Sequence, residues 1–312
     1  MYFSVYMHHR FARLSSLFLC AAGLAFAGGD YWNVDEGGTT MKFLSLPVSP
    51  RSAGLAGSGI ASPEGFSEVT RNPLATTACD KSVAGVSEIL FSDNIGAKLT
   101  SVYFGLPLGL FNTSAALEYL GYDDIEGRDE DGAVTSDYGA MAWDAQLGIG
   151  SKPSIFNWAV NFRFASQTIE DYSASALLAD AGTSFKPSQY ITFGAVITNL
   201  GWVSKYASGK ESAPLGLQAG VTGNIPLYER FDLALNADVY RRADYDPEWR
   251  FGSELRYKKV IALRAGYALR GDTDGGVSGG IGLNFDTFEF GYAYDAHPAV
   301  GGYHHFNLGI RF

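Results

Sequence analysis

Segments in which apolar and polar residues alternate recur along the chain from about residue 80 to its end. In one of them, the residues at every second position from Phe231 to Val239 are apolar, and most residues between them are polar. This period of two indicates β-strands that have one apolar face. Fourteen such segments are found, at 81–91, 97–106, 110–121, 138–150, 156–169, 173–185, 189–199, 213–225, 230–242, 248–258, 260–270, 276–285, 287–296 and 303–312.

The length of these segments separates two all-β architectures. Strands of soluble sandwiches alternate as well, but they average about 5–6 residues, whereas transmembrane strands need about 9–11. The segments here run for about 9 to 13 residues. Aromatic residues lie near the segment ends, where barrels carry their interfacial girdles, at Tyr190, Trp249, Tyr257, Tyr267, Tyr294 and Phe312.

The connections between the segments alternate in length. Short connections are found at 107–109, 186–188, 258–259 and Asp286, and longer ones at 122–137, 200–212, 242–248, 270–276 and 296–303. Outer-membrane barrels have an even number of strands, with short turns at one end and long loops at the other. Residues 80–312 are therefore predicted to form a 14-stranded antiparallel transmembrane β-barrel, with a secreted β-sandwich as the alternative.

Composition excludes several classes of function. The formal net charge of −10 argues against nucleic-acid binding, which needs clustered cationic side chains. Two cysteines, Cys20 and Cys79, exclude a disulfide scaffold and a multi-cysteine zinc site. His304 and His305 are adjacent on a predicted strand and would point to opposite faces. We therefore expect no enzyme, cofactor or metal site.

Residues 1–27 resemble an export signal. Arg10 and Arg13 precede an apolar run, and the run ends in Ala25-Phe26-Ala27, a small-x-small cleavage pattern. We expect a cleaved signal peptide and a protein of the cell outer membrane, in contact with outer-membrane lipid.

Residues 28–79 do not alternate and contain many small side chains, which permit close backbone packing. Asn72-Pro73 marks a turn. This segment is predicted to be an N-terminal plug, or hatch, inside the barrel, or else an extension outside it. The charged residues of the predicted lumen should pair across strands, because buried ions need partners; they are Glu118, Asp144, Arg163, Asp238, Arg250, Glu254, Arg256 and Arg264.

Three motifs in the first part of the chain resemble those of the PorV/PorQ family of outer-membrane proteins, which are themselves similar to FadL-type barrels. The motifs are Gly38 to Leu44, Arg51 to Gly57 and the Asn-Pro-Leu-Ala run at 72–75. Leu55, Ala56 and Leu74 depart from the family pattern. Further likeness, closest to PorQ, lies at 171–177, 199–201 and 304–308. The resemblance marks five residues as the plug motif: Arg51, Gly54, Gly57, Asn72 and Pro73.

What this resemblance implies is a non-enzymatic role in type IX protein secretion, or in cell-surface attachment, through binding of a secretion or attachment-complex protein at the surface. The alternative is a FadL-like channel for hydrophobic small molecules, which would need a plug that can shift, an apolar pocket and an opening in the wall. An acidic outer loop is a candidate partner site, with Asp123, Asp124, Glu126, Asp129, Glu130 and Asp131. The alternating C-terminus is a candidate barrel-insertion signal, with Phe306, Leu308, Ile310 and Phe312.

Overall fold

The structure, a computed structural model, describes residues 34–91, 96–122, 134, 139–204, 212–228, 230–270, 276–297 and 301–312. Fourteen antiparallel strands form one closed barrel in sequence order, so the predicted fold class is confirmed. The strands are β1 (Val83–Phe91), β2 (Lys98–Leu108), β3 (Phe111–Gly121), β4 (Ala140–Ser151), β5 (Phe156–Ile169), β6 (Tyr172–Ser188), β7 (Ile191–Val203), β8 (Gly216–Tyr228), β9 (Phe231–Arg242), β10 (Glu248–Tyr257), β11 (Ile261–Leu269), β12 (Gly276–Asn284), β13 (Phe288–His297) and β14 (Gly301–Arg311).

The barrel closes through its first and last strands. β1 pairs with β14 from Val83 opposite Arg311 to Phe91 opposite Tyr303, and its other edge pairs with β2. Each of the fourteen described strands therefore has a hydrogen-bonded neighbour on both sides. Closure of this kind satisfies the backbone polar groups of a sheet in lipid, where water cannot do so.

Large apolar side chains cover most of the outer face of the wall. Leu147 on β4 and Phe162 on β5 leave 67% and 65% of their surface exposed, while Asp144 and Arg163 on the same strands are buried in the lumen. This arrangement is the reverse of a soluble sandwich and is the one that a transmembrane barrel requires. The sandwich alternative is therefore wrong.

Strands β2, β6 and β8 each continue past a proline beyond their predicted ends, and β7 continues to Val203. Pro107 lies near the end of β2, and Pro187 lies at the end of β6, where the pairing with β7 shifts register between Phe185 and Ser188. Proline is tolerated at strand ends and bulges, since it lacks the N–H that the ladder needs. The predicted segments at 97–106, 173–185, 189–199 and 213–225 therefore end too early.

Residues 34–79 form a plug that packs inside the barrel. The plug contains one short helix, α1 (Pro50–Gly54), and three 3₁₀ helices at Lys42–Ser45, Phe66–Thr70 and Pro73–Ala78. Proline at the first position and a side-chain cap explain where α1 begins, because Ser49 Oγ accepts a hydrogen bond from the Arg51 backbone N–H at 3.2 Å. Among the described residues, the helices are all too short or too polar to cross a membrane.

Candidate functional site

Glycines on the inner wall allow the plug backbone to approach the sheet closely. A Cβ atom added at Gly194 on β7 would lie 2.5 Å from the Ala61 Cα atom, and one added at Gly266 on β11 would collide with the backbone of Leu55 and Ala56. A side chain at either position would have to displace the plug main chain. The lumen wall is thus shaped to fit this plug.

The variant Gly266→Ala is expected to weaken docking of the plug by about 1–3 kcal/mol, the usual cost of overpacking a filled site. Hydrogen exchange of the backbone amides of residues 50–60, followed by mass spectrometry, would measure this loss as faster exchange. The control is Gly223→Ala on β8, where the nearest atom to an added Cβ is 3.9 Å away. Equal exchange in the two variants would contradict this description of the wall.

A buried ion cluster attaches α1 to the wall. The Arg51 guanidinium donates to Glu68 of the plug at 2.8 Å and to Glu254 of β10 at 3.1 Å, and Glu254 also accepts from Arg264 at 2.6 Å. Burial raises the pKa of the Glu68 carboxyl above its usual value, although the neighbouring Arg51 acts in the opposite direction. Burial alone would lower the pKa of Arg51, but Glu254 and Glu68 outweigh burial and raise it.

A second ion cluster lies on the opposite wall. Arg163 of β5 donates to Asp180 of β6 at 3.0 Å and lies 3.7 Å from Asp144 of β4. Its guanidinium also donates to the Thr70 backbone carbonyl of the plug at 2.6 Å. Cross-strand pairing, as predicted, is found for Asp144, Arg163, Glu254 and Arg264. Glu118 and Arg256 instead pair with Arg71 and Glu64 of the plug, and Arg250 pairs with Glu248 of its own strand, which the alternation pattern did not predict.

Wall side chains also hydrogen-bond to the plug backbone. Asp238 accepts from the Ile60 N–H at 3.0 Å, Gln218 donates to the Gly57 carbonyl at 2.7 Å, and Asn112 donates to the Thr77 carbonyl at 3.0 Å. These bonds satisfy main-chain groups of a segment that has little regular structure of its own. They hold the plug from residue 57 to residue 77.

The five plug-motif residues all have structural contacts. Arg51 forms the ion cluster described above, and an added Cβ at Gly54 would lie 3.3 Å from the Gly280 Cα atom. Gly57 has a φ of +74°, which favours glycine. Asn72 accepts from the Leu74 N–H and donates to the Ile60 carbonyl, both at 3.1 Å, and Pro73 begins the last 3₁₀ helix.

An apolar chamber occupies the half of the lumen that lies toward the long connections, on the side of β1 to β7. Its wall is made of aliphatic and small side chains, namely Ile89, Leu99, Leu120, Ala142, Ala165, Ala174, Ala176, Leu178 and Ala213. Residues 41–48, which we call the chamber segment, fill it with Met41, Phe43, Leu44 and Val48. Phe43 and Leu44 keep only 4% and 1% of their surface exposed. The apolar part of the lumen is thus filled by the protein's own chain.

A polar cavity of about 650 Å³ lies beside the plug on the side of β8 to β10. Its arginines are paired and stacked: Arg250 binds Glu248 and lies 3.9 Å from the Tyr240 ring centroid, and Arg242 donates to Asp244 at 2.6 Å. Burial would raise the pKa of the Asp244 carboxyl, but hydrogen bonds from Thr39 and Arg242 outweigh it and lower this pKa. The lumen therefore has one polar and one apolar side.

The ladder between β6 and β7 is irregular beside the chamber. The pairing of β6 with β7 shifts register between Ala179 and Ala181, where the Asn199 N–H donates to the Asp180 side chain at 2.6 Å. A shallow groove of about 900 Å³ crosses the outer faces of β2 to β7 and includes Ala179 and Leu200 beside this bulge. The described strands nevertheless remain paired here, so the wall is closed in this structure.

The structure describes some of the remaining candidate residues and not others. The acidic loop residues Asp123, Asp124, Glu126, Asp129, Glu130 and Asp131 lie outside the described residues, as does the expected signal peptide at 1–27. Leu308 and Ile310 of β14, and Phe312 after it, are exposed on the outer face, and Phe306 packs against Tyr292 at a ring-centroid distance of 5.3 Å. Their role as an insertion signal stays a prediction.

Comparison with known proteins identifies relatives by fold alone. No protein-family model and no curated protein matches the chain. Among solved structures, the toluene transporter TodX of Pseudomonas putida aligns with a TM-score of 0.59 and 12% identity over 84% of this chain and 96% of that one. A FadL homologue of Pseudomonas aeruginosa aligns with a TM-score of 0.52 and 13% identity over 85% and 98%.

These alignments bear on the resemblance inferred from the sequence motifs. They support its FadL-like part and give no support to the narrower likeness to PorV or PorQ. The protein therefore has the fold of the FadL-type outer-membrane barrels.

Proposed function

We propose that this protein is a non-enzymatic outer-membrane channel for hydrophobic small molecules, in which the chamber segment occupies the place of the solute. The observation that carries the proposal is the apolar chamber in the half of the lumen that lies toward the long connections. A lumen that served only as a water-filled pore would have no reason to keep one half lined by aliphatic side chains.

The chemistry of the chamber indicates the class of solute. Its wall offers dispersion and hydrophobic contact, and burial of one side chain such as phenylalanine or leucine stabilises a complex by about 1.5–3 kcal/mol. The Phe43 side chain is a benzyl group, so it has the shape of a tethered toluene molecule. TodX, one of the structural neighbours, is described as a toluene transporter. An uncharged monoaromatic hydrocarbon is accordingly the solute class that best replaces Phe43.

Transport requires the chamber segment to move. Met41, Phe43, Leu44 and Val48 fill the chamber in this structure, and a solute cannot occupy the same volume. The glycine contacts and ion clusters hold the rest of the plug, from residue 49 onward, to the wall. We therefore propose a local displacement of residues 41–48. The apolar outer wall is proposed to contact the outer-membrane lipid.

Uptake measurements test this proposal. Cells that lack their own hydrocarbon-uptake barrels would express the protein, and uptake of radiolabelled toluene and of glucose would be compared with cells that carry an empty vector. We expect faster toluene uptake and unchanged glucose uptake. Unchanged toluene uptake would overturn the proposal, and an equal rise for both solutes would indicate a general pore instead.

The role in type IX secretion predicted from the motifs has no support from these comparisons, because the neighbours reported above are a hydrocarbon transporter and a FadL homologue. It stays a prediction. The acidic loop that is the candidate partner site lies outside the described residues.

A further inference from the structure

We infer that Arg71 is a latch that holds the chamber segment inside the apolar chamber, separately from the contacts that hold the rest of the plug. The inference rests on the proposed function, since it assigns control of access to the same chamber. It concerns residues 43–46, which contain the apolar side chains that a solute would replace.

The Arg71 guanidinium bonds to three separate parts of the protein. Its Nε donates to the Leu46 carbonyl at 2.6 Å and its Nη2 to the Phe43 carbonyl at 2.8 Å, both in the chamber segment. Its Nη1 donates to the Thr70 carbonyl and to Glu118 of β3, each at 2.8 Å. One side chain therefore ties the chamber segment to the plug and to the wall.

Arginine suits this position because its planar group carries five donors in a fixed geometry. Phe43 lies in the 3₁₀ helix Lys42–Ser45 and Leu46 follows it, so their carbonyls lie at the C-terminal end of that helix. The Phe43 carbonyl also accepts from the Leu46 backbone N–H at 3.1 Å. A carbonyl oxygen has two lone pairs, so a nearby arginine can bind the last carbonyls of a helix as well. The buried Glu118 carboxylate fixes the orientation of the guanidinium by an ion pair.

The latch lies where it can open without release of the plug. The Arg71 side chain keeps 14% of its surface exposed and lines the polar cavity, so water can reach it from that side. The attachments of residues 51–77 run through Arg51, Asp238, Gln218, Asn112 and Arg163, and none of these bonds involves residues 43–46. Apart from the Thr70 carbonyl, which accepts from both Arg71 and Arg163, the two sets of contacts use different residues.

Thiol labelling tests the latch without any solute. Leu44 and Thr76 are both fully buried, so each would be replaced by cysteine in turn, in a chain with both native cysteines changed to serine. In folded barrels, Arg71→Met is expected to raise the maleimide labelling rate of Leu44→Cys about tenfold or more, because hydrogen bonds to a charged donor each exceed the free energy of a tenfold change. Thr76→Cys should stay protected.

Arg256→Met is the matched control, because Arg256 pairs with Glu64 of the plug outside the chamber segment. It should leave labelling of Leu44→Cys unchanged. Unchanged labelling of Leu44→Cys in Arg71→Met would overturn the inference, and so would equal exposure of Leu44→Cys and Thr76→Cys, which would make Arg71 a support of the whole plug. Faster labelling of Leu44→Cys alone, without any toluene uptake by the wild-type protein, would keep the latch and reject the proposed channel.

Discussion

Arg51→Met is expected to release α1 from the wall at a cost of about 3–5 kcal/mol, the usual effect of removing one partner from a buried ion pair. The substitution leaves the Glu68 carboxylate buried without its arginine, whereas Glu254 keeps Arg264 at 2.6 Å. The barrel itself should persist, since its strand ladder closes without the plug. Hydrogen exchange of the amides of residues 49–72 would report the release as a loss of protection.

The double variant Arg51→Met with Glu68→Met distinguishes two causes of the destabilisation. One is loss of the ion pair itself, and the other is the cost of burying the Glu68 carboxylate without a partner. Removing both partners of a buried pair is often nearly neutral, so the double variant should recover much of the protection. Arg311→Met serves as the control, because Arg311 pairs with Glu289 of the barrel and not with the plug. Unchanged protection in Arg51→Met, or a further loss in the double variant, would show that the plug does not depend on this ion cluster.

The second large effect is expected from Phe43→Ala combined with Leu44→Ala. Each truncation removes apolar contacts of the chamber segment worth several kcal/mol, so the segment should leave the chamber more often. The apparent affinity for a solute rises with the fraction of protein whose chamber is open. Titration with the fluorescent apolar probe N-phenyl-1-naphthylamine should show tighter binding by about tenfold to a thousandfold.

Phe66→Ala provides the comparison for this double variant. Phe66 is a buried plug aromatic too, but it packs with Val69, Tyr103 and Ala116 outside the apolar chamber. Its truncation should reduce the stability of the plug and leave probe affinity nearly unchanged. If Phe66→Ala raised the affinity as much as the double variant, general loosening of the plug would explain binding, and the chamber segment would have no special role.

The barrel could be predicted from sequence because its signal is local. The alternation of residues 230–242 needs no knowledge of the rest of the chain, and it corresponds to β9 (Phe231–Arg242) within one residue at the N-terminal end. The predicted strand ends next to Pro107 and Pro187 were less accurate, because proline is disfavoured within a strand. In the structure, β2 and β6 include these prolines near a strand end or at a bulge.

The lumen could not be predicted in the same way, because its contacts join distant parts of the chain. Arg51 and Glu254 are 203 positions apart, and Arg71 and Glu118 are 47 apart. The plug-motif residues were identified by resemblance, but neither the ion cluster of Arg51 nor the role of Arg71 follows from a pattern in residues 28–79. The alternation pattern places the Glu118 and Glu254 carboxylates in the lumen. It does not indicate that their partners lie in the plug.

If an apolar solute takes the place of the chamber segment, bound solute must be found inside the chamber. A crystal structure of the detergent-purified protein soaked with 4-bromotoluene would test it, because the bromine atom can be located by its anomalous scattering. We predict a bromine peak between Leu120, Ala142 and Leu178, with Phe43 and Leu44 displaced from the chamber. Bromine peaks on the outer wall alone, with the chamber segment still in place, would contradict the claim.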